Sequence, residues 1–188
     1  MILNLDQQFR PWPDEDIHFE SFVFAGGEPH IKIHADLAGS PVKVAHRINS
    51  FNDLGLLCIA VDALSRMGAI LDTLFIPYFP AARQDRVMVT GEALSVKVYA
   101  NIINALGFRK VLVLDAHSEV TPALVDNCEV IPNYTFIKEI LNRIGKPVVL
   151  VSPDGGALKK IYKLSEYLGG VPVVECGKTR DVSTGKLS

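Results

Sequence analysis

Two arginines bracket a glutamine and an aspartate in "ARQDR" (82–86), two residues beyond the apolar run "TLFIPYF" (73–79). Arg83 and Arg86 offer planar cationic forks suited to phosphate oxygens, and the Gln84 amide can both donate to and accept from a base edge or a ribose. The bland alternative is a solvated turn in which Arg83, Asp85 and Arg86 pair weakly with one another. A second cluster, "DAHSE" (115–119), follows the apolar run 110–114. If it continues extended, Asp115 and His117 fall on one side, where a carboxylate and an imidazole could hold the water shell of Mg²⁺ or act as acid and base. The competing role for His117 is a cap on the next helix.

A third cluster, "SPDGG" (152–156), sets Asp154 before two glycines that open a helical pattern. Glycines let a ligand approach the backbone, and a helix start favours anions, although many strand-to-helix turns share this composition. Finally "GKTR" places Lys178 and Arg180 two apart in a polar stretch. Two such cations could stabilise phosphoryl transfer, or they could belong to a solvated basic loop. There is no GxxxxGK pattern followed by Ser or Thr, which excludes a P-loop.

These clusters need a scaffold that gathers strand ends. "HFESFVF" (18–24) and "HIKIHAD" (30–36) read as strands joined by a Gly-rich turn, and "VKVAHRI" (42–48) as another. After Ser50, the residues Leu54, Leu57, Ala60, Val61, Leu64 and Met67 recur at helical spacing. Strand 73–79, helix 92–107 closed by Gly107, strand 110–117, helix 134–145, strand 147–154, helix 156–170 and strand 171–178 follow in turn. Alternating elements of this kind predict an α/β fold with a mostly parallel sheet flanked by helices, whose strand tips share one edge. A second domain is expected from 146 to 188, with 1–145 forming the first.

The composition suits such a domain. Of 188 residues, 48% are apolar and the mean hydropathy is +0.23, enough for a substantial core. Lys plus Arg number 19 against 21 for Asp plus Glu, so a nucleic-acid-coating surface is not indicated. Three cysteines without metal-ligand spacing fit a reducing cytoplasm, with Cys58 a small core residue. The apolar runs are too short for a membrane span. His18, His30, His34 and His46 read as ordinary strand or loop residues.

Together, "IPYFPAARQDR", "LDAHSE", "VSPDGGALKK" and "GKTR" resemble the ribose-phosphate diphosphokinases, in order and over essentially the whole chain. The resemblance implies two pseudo-repeated domains of phosphoribosyltransferase type I, the second incomplete within these residues, and a homo-oligomer, typically a dimer-based hexamer. It also implies transfer of the diphosphoryl group of MgATP to the C1 hydroxyl of ribose 5-phosphate, releasing AMP. On matching positions, Arg83, Gln84 and Asp85 correspond to the ATP-binding loop. Glu28, in "FAGGE" (24–28), corresponds to a glutamate that reaches adenine from a neighbouring subunit. His117 and Asp154 match the Mg²⁺-associated residues. Lys178 and Arg180 match the catalytic-loop pair, with Arg180 near substrate phosphates. Asp115 would support the His117 loop.

Two departures stand out. Gly26 replaces the aspartate of the family's Asp-Gly-Glu loop, removing an adenine contact. The acidic strand end and Thr/Gly-rich loop that cradle ribose 5-phosphate do not occur in these 188 residues, and "PDED" (13–16) cannot replace them because it neither ends an apolar strand nor leads into a glycine-rich turn. Three readings follow: an enzyme whose natural chain continues beyond Ser188, a non-catalytic nucleotide-binding or regulatory relative, or a different enzyme of similar topology. The first carries the expectation that residues 1–188 alone do not turn over.

Overall fold

A computed structural model describes residues 1–6 and 8–177. Lys178 and Arg180 lie outside the described residues. The chain forms two compact units, Met1–Pro132 and Asn133–Ser188. Helix Tyr134–Ile144 therefore groups with the second unit, whereas the domain limits expected from sequence leave it in the first.

In the first unit, β1 (Ile2–Asn4), β4 (Pro41–Ala45), β5 (Ile70–Ile76), β6 (Lys110–Leu114) and β7 (Cys128–Ile131) build one sheet in the order β1-β4-β5-β6-β7. Every pairing in it is parallel. All five strands thus point their carboxyl ends to one edge. β2 (His18–Val23) and β3 (Pro29–His34) form a separate antiparallel hairpin, paired in register from His18–His34 to Val23–Pro29. Ile31 on the hairpin is buried, and Pro29 lies close against Gly55, where a Cβ would meet its ring at 3.3 Å.

Helix α1 (Phe51–Arg66) starts where the sequence places its cap. The Ser50 side chain accepts from the Asp53 amide and the Asp53 carboxylate accepts from the Ser50 amide, a reciprocal capping box. Leu54, Leu57, Ala60, Val61 and Leu64 are buried along one stripe, and each fully buried leucine contributes about 1.5–3 kcal/mol. α2 is Ser95–Ala105, shorter than the pattern 92–107. Glu92 turns back instead, and its carboxylate accepts from the amides of Met88 at 2.8 Å and Val89 at 3.3 Å. Leu106 is the cap of α2, and Gly107 follows it with φ of 76°, a conformation glycine reaches without a Cβ clash.

Several expected strands are shorter in the structure, and two of those boundaries bear on the site. β5 ends at Ile76 rather than Phe79, because Pro77 has no amide proton for the ladder. β6 ends at Leu114, and Asp115 adopts φ of 46°. Asp115 and His117 therefore lie on a bent loop, and the extended alternation expected for them does not hold. β1, the short helix α3 (Val120–Leu124) and β7 were not expected from sequence; each has five residues or fewer, too short for a periodic signal.

The second unit contains α4 (Tyr134–Ile144), β8 (Leu150–Ser152), α5 (Leu158–Tyr167) and β9 (Val173–Glu175). β8 and β9 pair in parallel. Gly145 ends α4 in the left-handed region at φ 62°. Among the described residues, no helix is long and apolar enough to cross a membrane.

Candidate functional site

The loops after β5 and β6 are neighbours because their strands pair, with Ile76 opposite Val113 near the carboxyl ends. The first loop is anchored from below. Phe79 is 1% exposed and Ala82 is also buried, so the chain re-enters the core twice before Arg83. The Gln84 backbone N–H donates to the Ala81 carbonyl at 2.8 Å, and Ala81 has φ of 54°. Such a left-handed turn at a non-glycine residue is strained and persists because both flanks are fixed. Arg83, Gln84 and Arg86 are exposed at the tip. The aromatic-proline run thus divides its roles: Phe79 anchors, while Tyr78 stays exposed.

Asp85 behaves differently from its neighbours. Its side chain is 7% exposed, with Oδ1 3.3 Å from Arg86 Nε. Ser118 Oγ donates to Asp85 Oδ2 at 2.7 Å, across to the loop that follows β6. The Ser118 hydroxyl holds the Asp85 carboxyl below its ordinary pKa, and the nearby Arg86 and His117 act in the same direction. On the β6 side, Ala116 is buried and His117 is exposed. The structure therefore brings the Arg83–Arg86 and His117 clusters onto adjacent loops of one sheet edge.

The link between them is a hydroxyl–carboxylate pair that sequence reasoning missed. Ser118 stands within "DAHSE" with no local feature to mark it. No spacing rule joins it to a residue 33 positions away.

Glu28 is exposed at the turn of the hairpin. A Cβ on Gly26 would meet its Oε2 at 2.5 Å, so the Glu28 carboxylate folds back over the glycine that departs from the family pattern. Asp154 follows β8 in the second unit, half-buried, with Oδ1 accepting from the Ala157 amide at 3.2 Å. Gly156 leaves room for that carboxylate, since a Cβ there would stand 3.2 Å from Asp154 Oδ1.

His46, expected to be an ordinary strand or loop residue, is buried directly after β4 with Nε2 3.0 Å from the Asp53 carbonyl. Among the described residues no group of three or more His, Cys, Asp or Glu side chains is arranged to hold a metal ion.

A family model described as the N-terminal domain of ribose phosphate pyrophosphokinase matches residues 16–107. A putative ribose-phosphate pyrophosphokinase 1 of Enterococcus faecalis is 32% identical over 151 residues, 77% of this chain and 47% of that protein. A ribose-phosphate pyrophosphokinase of Thermotoga maritima is 32% identical over 155 residues, 78% of this chain and 49% of its own length. The crystal structure of phosphoribosylpyrophosphate synthetase from Mycobacterium smegmatis superposes with a TM-score of 0.77 at 25% identity, covering 89% of this chain and 58% of that one. The chain spans about half the length of the curated relatives it matches. With the α/β sheet, the order of the motifs and these relatives in agreement, the chain belongs to the ribose-phosphate pyrophosphokinase family.

Proposed function

We propose that the edge formed by the loops after β5 and β6 binds the polyphosphate of MgATP for diphosphoryl transfer to the C1 hydroxyl of ribose 5-phosphate. The observation that carries the reading is the 2.7 Å bond from Ser118 to Asp85, which ties the loop of Arg83 and Gln84 to the loop of His117. In the proposed complex the Arg83 guanidinium meets phosphate oxygens, and the Gln84 amide orients the nucleoside. Asp85 belongs to the same loop. Glu28 contacts adenine from a neighbouring copy in a homo-oligomer. His117 hydrogen-bonds a water of Mg²⁺, and Asp154, in the second unit, is assigned a magnesium-associated role by family correspondence alone. When bound, that ion neutralises charge on the phosphate oxygens.

In the reaction, the sugar's C1 oxygen forms a bond to the β-phosphorus, the bond from that phosphorus to the oxygen bridging the α-phosphate breaks, and AMP leaves. The hydroxyl proton goes to solvent. Lys178 and Arg180 are assigned to the transferring group and the substrate phosphates respectively. An added cation of this kind is worth on the order of 10³-fold in rate, by analogy with arginine fingers.

A second reading, a relative that binds nucleotide without turnover, draws on the match to only about half of each curated relative. Measuring AMP formation from MgATP with and without ribose 5-phosphate, on the natural protein isolated at the length at which the cell makes it, separates them. AMP release that depends on ribose 5-phosphate supports the diphosphokinase, and nucleotide binding without it supports the second reading.

A further inference from the structure

We infer that Asp85 and Ser118 form a positioning latch, through which a hydroxyl that touches no ligand sets the His117 loop against Arg83 and Gln84. The inference rests on the nucleotide reading above and deepens it, because it moves Asp85 from ligand contact to loop positioning.

Burial points the same way. Arg83, Gln84 and Arg86 are exposed, whereas the Asp85 side chain between them is 7% exposed. A carboxylate held this far from water needs donors, and it has them. Oδ2 accepts from Ser118 at 2.7 Å and Oδ1 lies 3.3 Å from Arg86 Nε. The shorter contact has the length of a charge-assisted O–H···O⁻ bond.

The hydroxyl is engaged both as donor and as acceptor. Ser118 Oγ gives its only proton to Asp85 and accepts the Val120 amide at 3.3 Å, at the start of α3. The bond therefore joins two loops that are each anchored on their own strand, at Phe79 and Ala82 on one side and Ala116 on the other. Both loops also make a left-handed turn at a non-glycine residue, Ala81 at φ 54° and Asp115 at φ 46°. Strained turns fix where each loop points, and the latch fixes one loop relative to the other. Without the hydroxyl, the Asp85 carboxylate loses its best donor, so it leaves its buried position for water and carries Gln84 and Arg86 with it.

The test is calorimetric titration of the 188-residue chain with MgATP. Ser118→Ala is expected to weaken binding about tenfold, as for loss of a hydrogen bond to a charged group. Ser118→Thr, which keeps the hydroxyl, is expected to stay within about twofold of the wild type. The double variant Ser118→Ala/Asp85→Ala should bind no more weakly than Asp85→Ala alone, since linked groups are not additive. Wild-type affinity in Ser118→Ala, while Arg83→Ala abolishes binding, would overturn the latch and leave the nucleotide reading intact.

If the wild-type chain binds no MgATP, the nucleotide reading fails, and amide exchange then decides the latch. Ser118→Ala is expected to speed exchange at 83–86 and 117–120 together, by about tenfold or more. Acceleration confined to 117–120 overturns it.

Discussion

His46 places Nε2 3.0 Å from the carbonyl oxygen of Asp53, in the first turn of α1, with the residue 4% exposed. A carbonyl only accepts, so Nε2 carries the proton and Nδ1 presents a lone pair. That Nδ1 is buried and has no hydrogen-bond partner among the described residues. Protonating it would put an unpaired N–H and a positive charge into the interior. Burial accordingly pushes the His46 pKa below its ordinary value, against weaker opposing effects from Asp53 and Asp6.

The sign of the pH dependence follows. The unfolded chain takes up the His46 proton as pH falls through about 6.5, while the folded chain resists it. The contribution to stability is complete above that pH and declines below it, with a slope of at most about 1.4 kcal/mol per pH unit. Urea unfolding between pH 5 and 8 checks this. His46→Gln should flatten the profile below about pH 6.5 relative to the wild type, and parallel profiles would refute the assignment.

Phe79 is the buried anchor of the Arg83 loop, at 1% exposure. Phe79→Ala removes a large core side chain and should cost about 3–5 kcal/mol. Phe79→Leu should cost less and preserve the path of residues 80–86. Denaturant titration gives both values, and a loss below 1 kcal/mol for the alanine variant would mean that the loop is held by other contacts.

Sequence legibility followed length and locality. Helix α1 was readable because its stripe repeats and its cap obeys a local rule at Ser50 and Asp53. The parallel sheet was readable because apolar runs alternate with helical patterns. β1 and β7 were not, with three and four residues. The polar clusters at 82–86 and 115–119 were visible as clusters, and their adjacency followed from neighbouring strand tips. The bend at Asp115 and the role of Ser118 were not visible. Both depend on contacts between distant segments, which no local propensity encodes. Asp85 was grouped with its exposed neighbours for the same reason, since burial within a polar loop leaves no periodic trace.

Ser50 caps α1 by accepting the Asp53 amide at 3.2 Å. Ser50→Ala should destabilise the protein by about 1 kcal/mol, and Ser50→Asn or Ser50→Asp by less. Thermal unfolding compared across the three variants tests the cap. Equal midpoints would show that the Asp53 carboxylate, which also accepts the amides of Asn49 and Ser50 at 2.9 and 2.8 Å, caps the helix unaided.

Arg83, Gln84 and His117, exposed on two adjacent loops, are proposed to form one site for MgATP. Titrating the 188-residue chain with ATP in the presence and absence of Mg²⁺, alongside Arg83→Ala and His117→Ala, tests it most directly. Binding should require Mg²⁺, fall at least about tenfold in Arg83→Ala through loss of a charged hydrogen bond, and lose its Mg²⁺ dependence in His117→Ala. Binding unchanged by both substitutions would contradict the account.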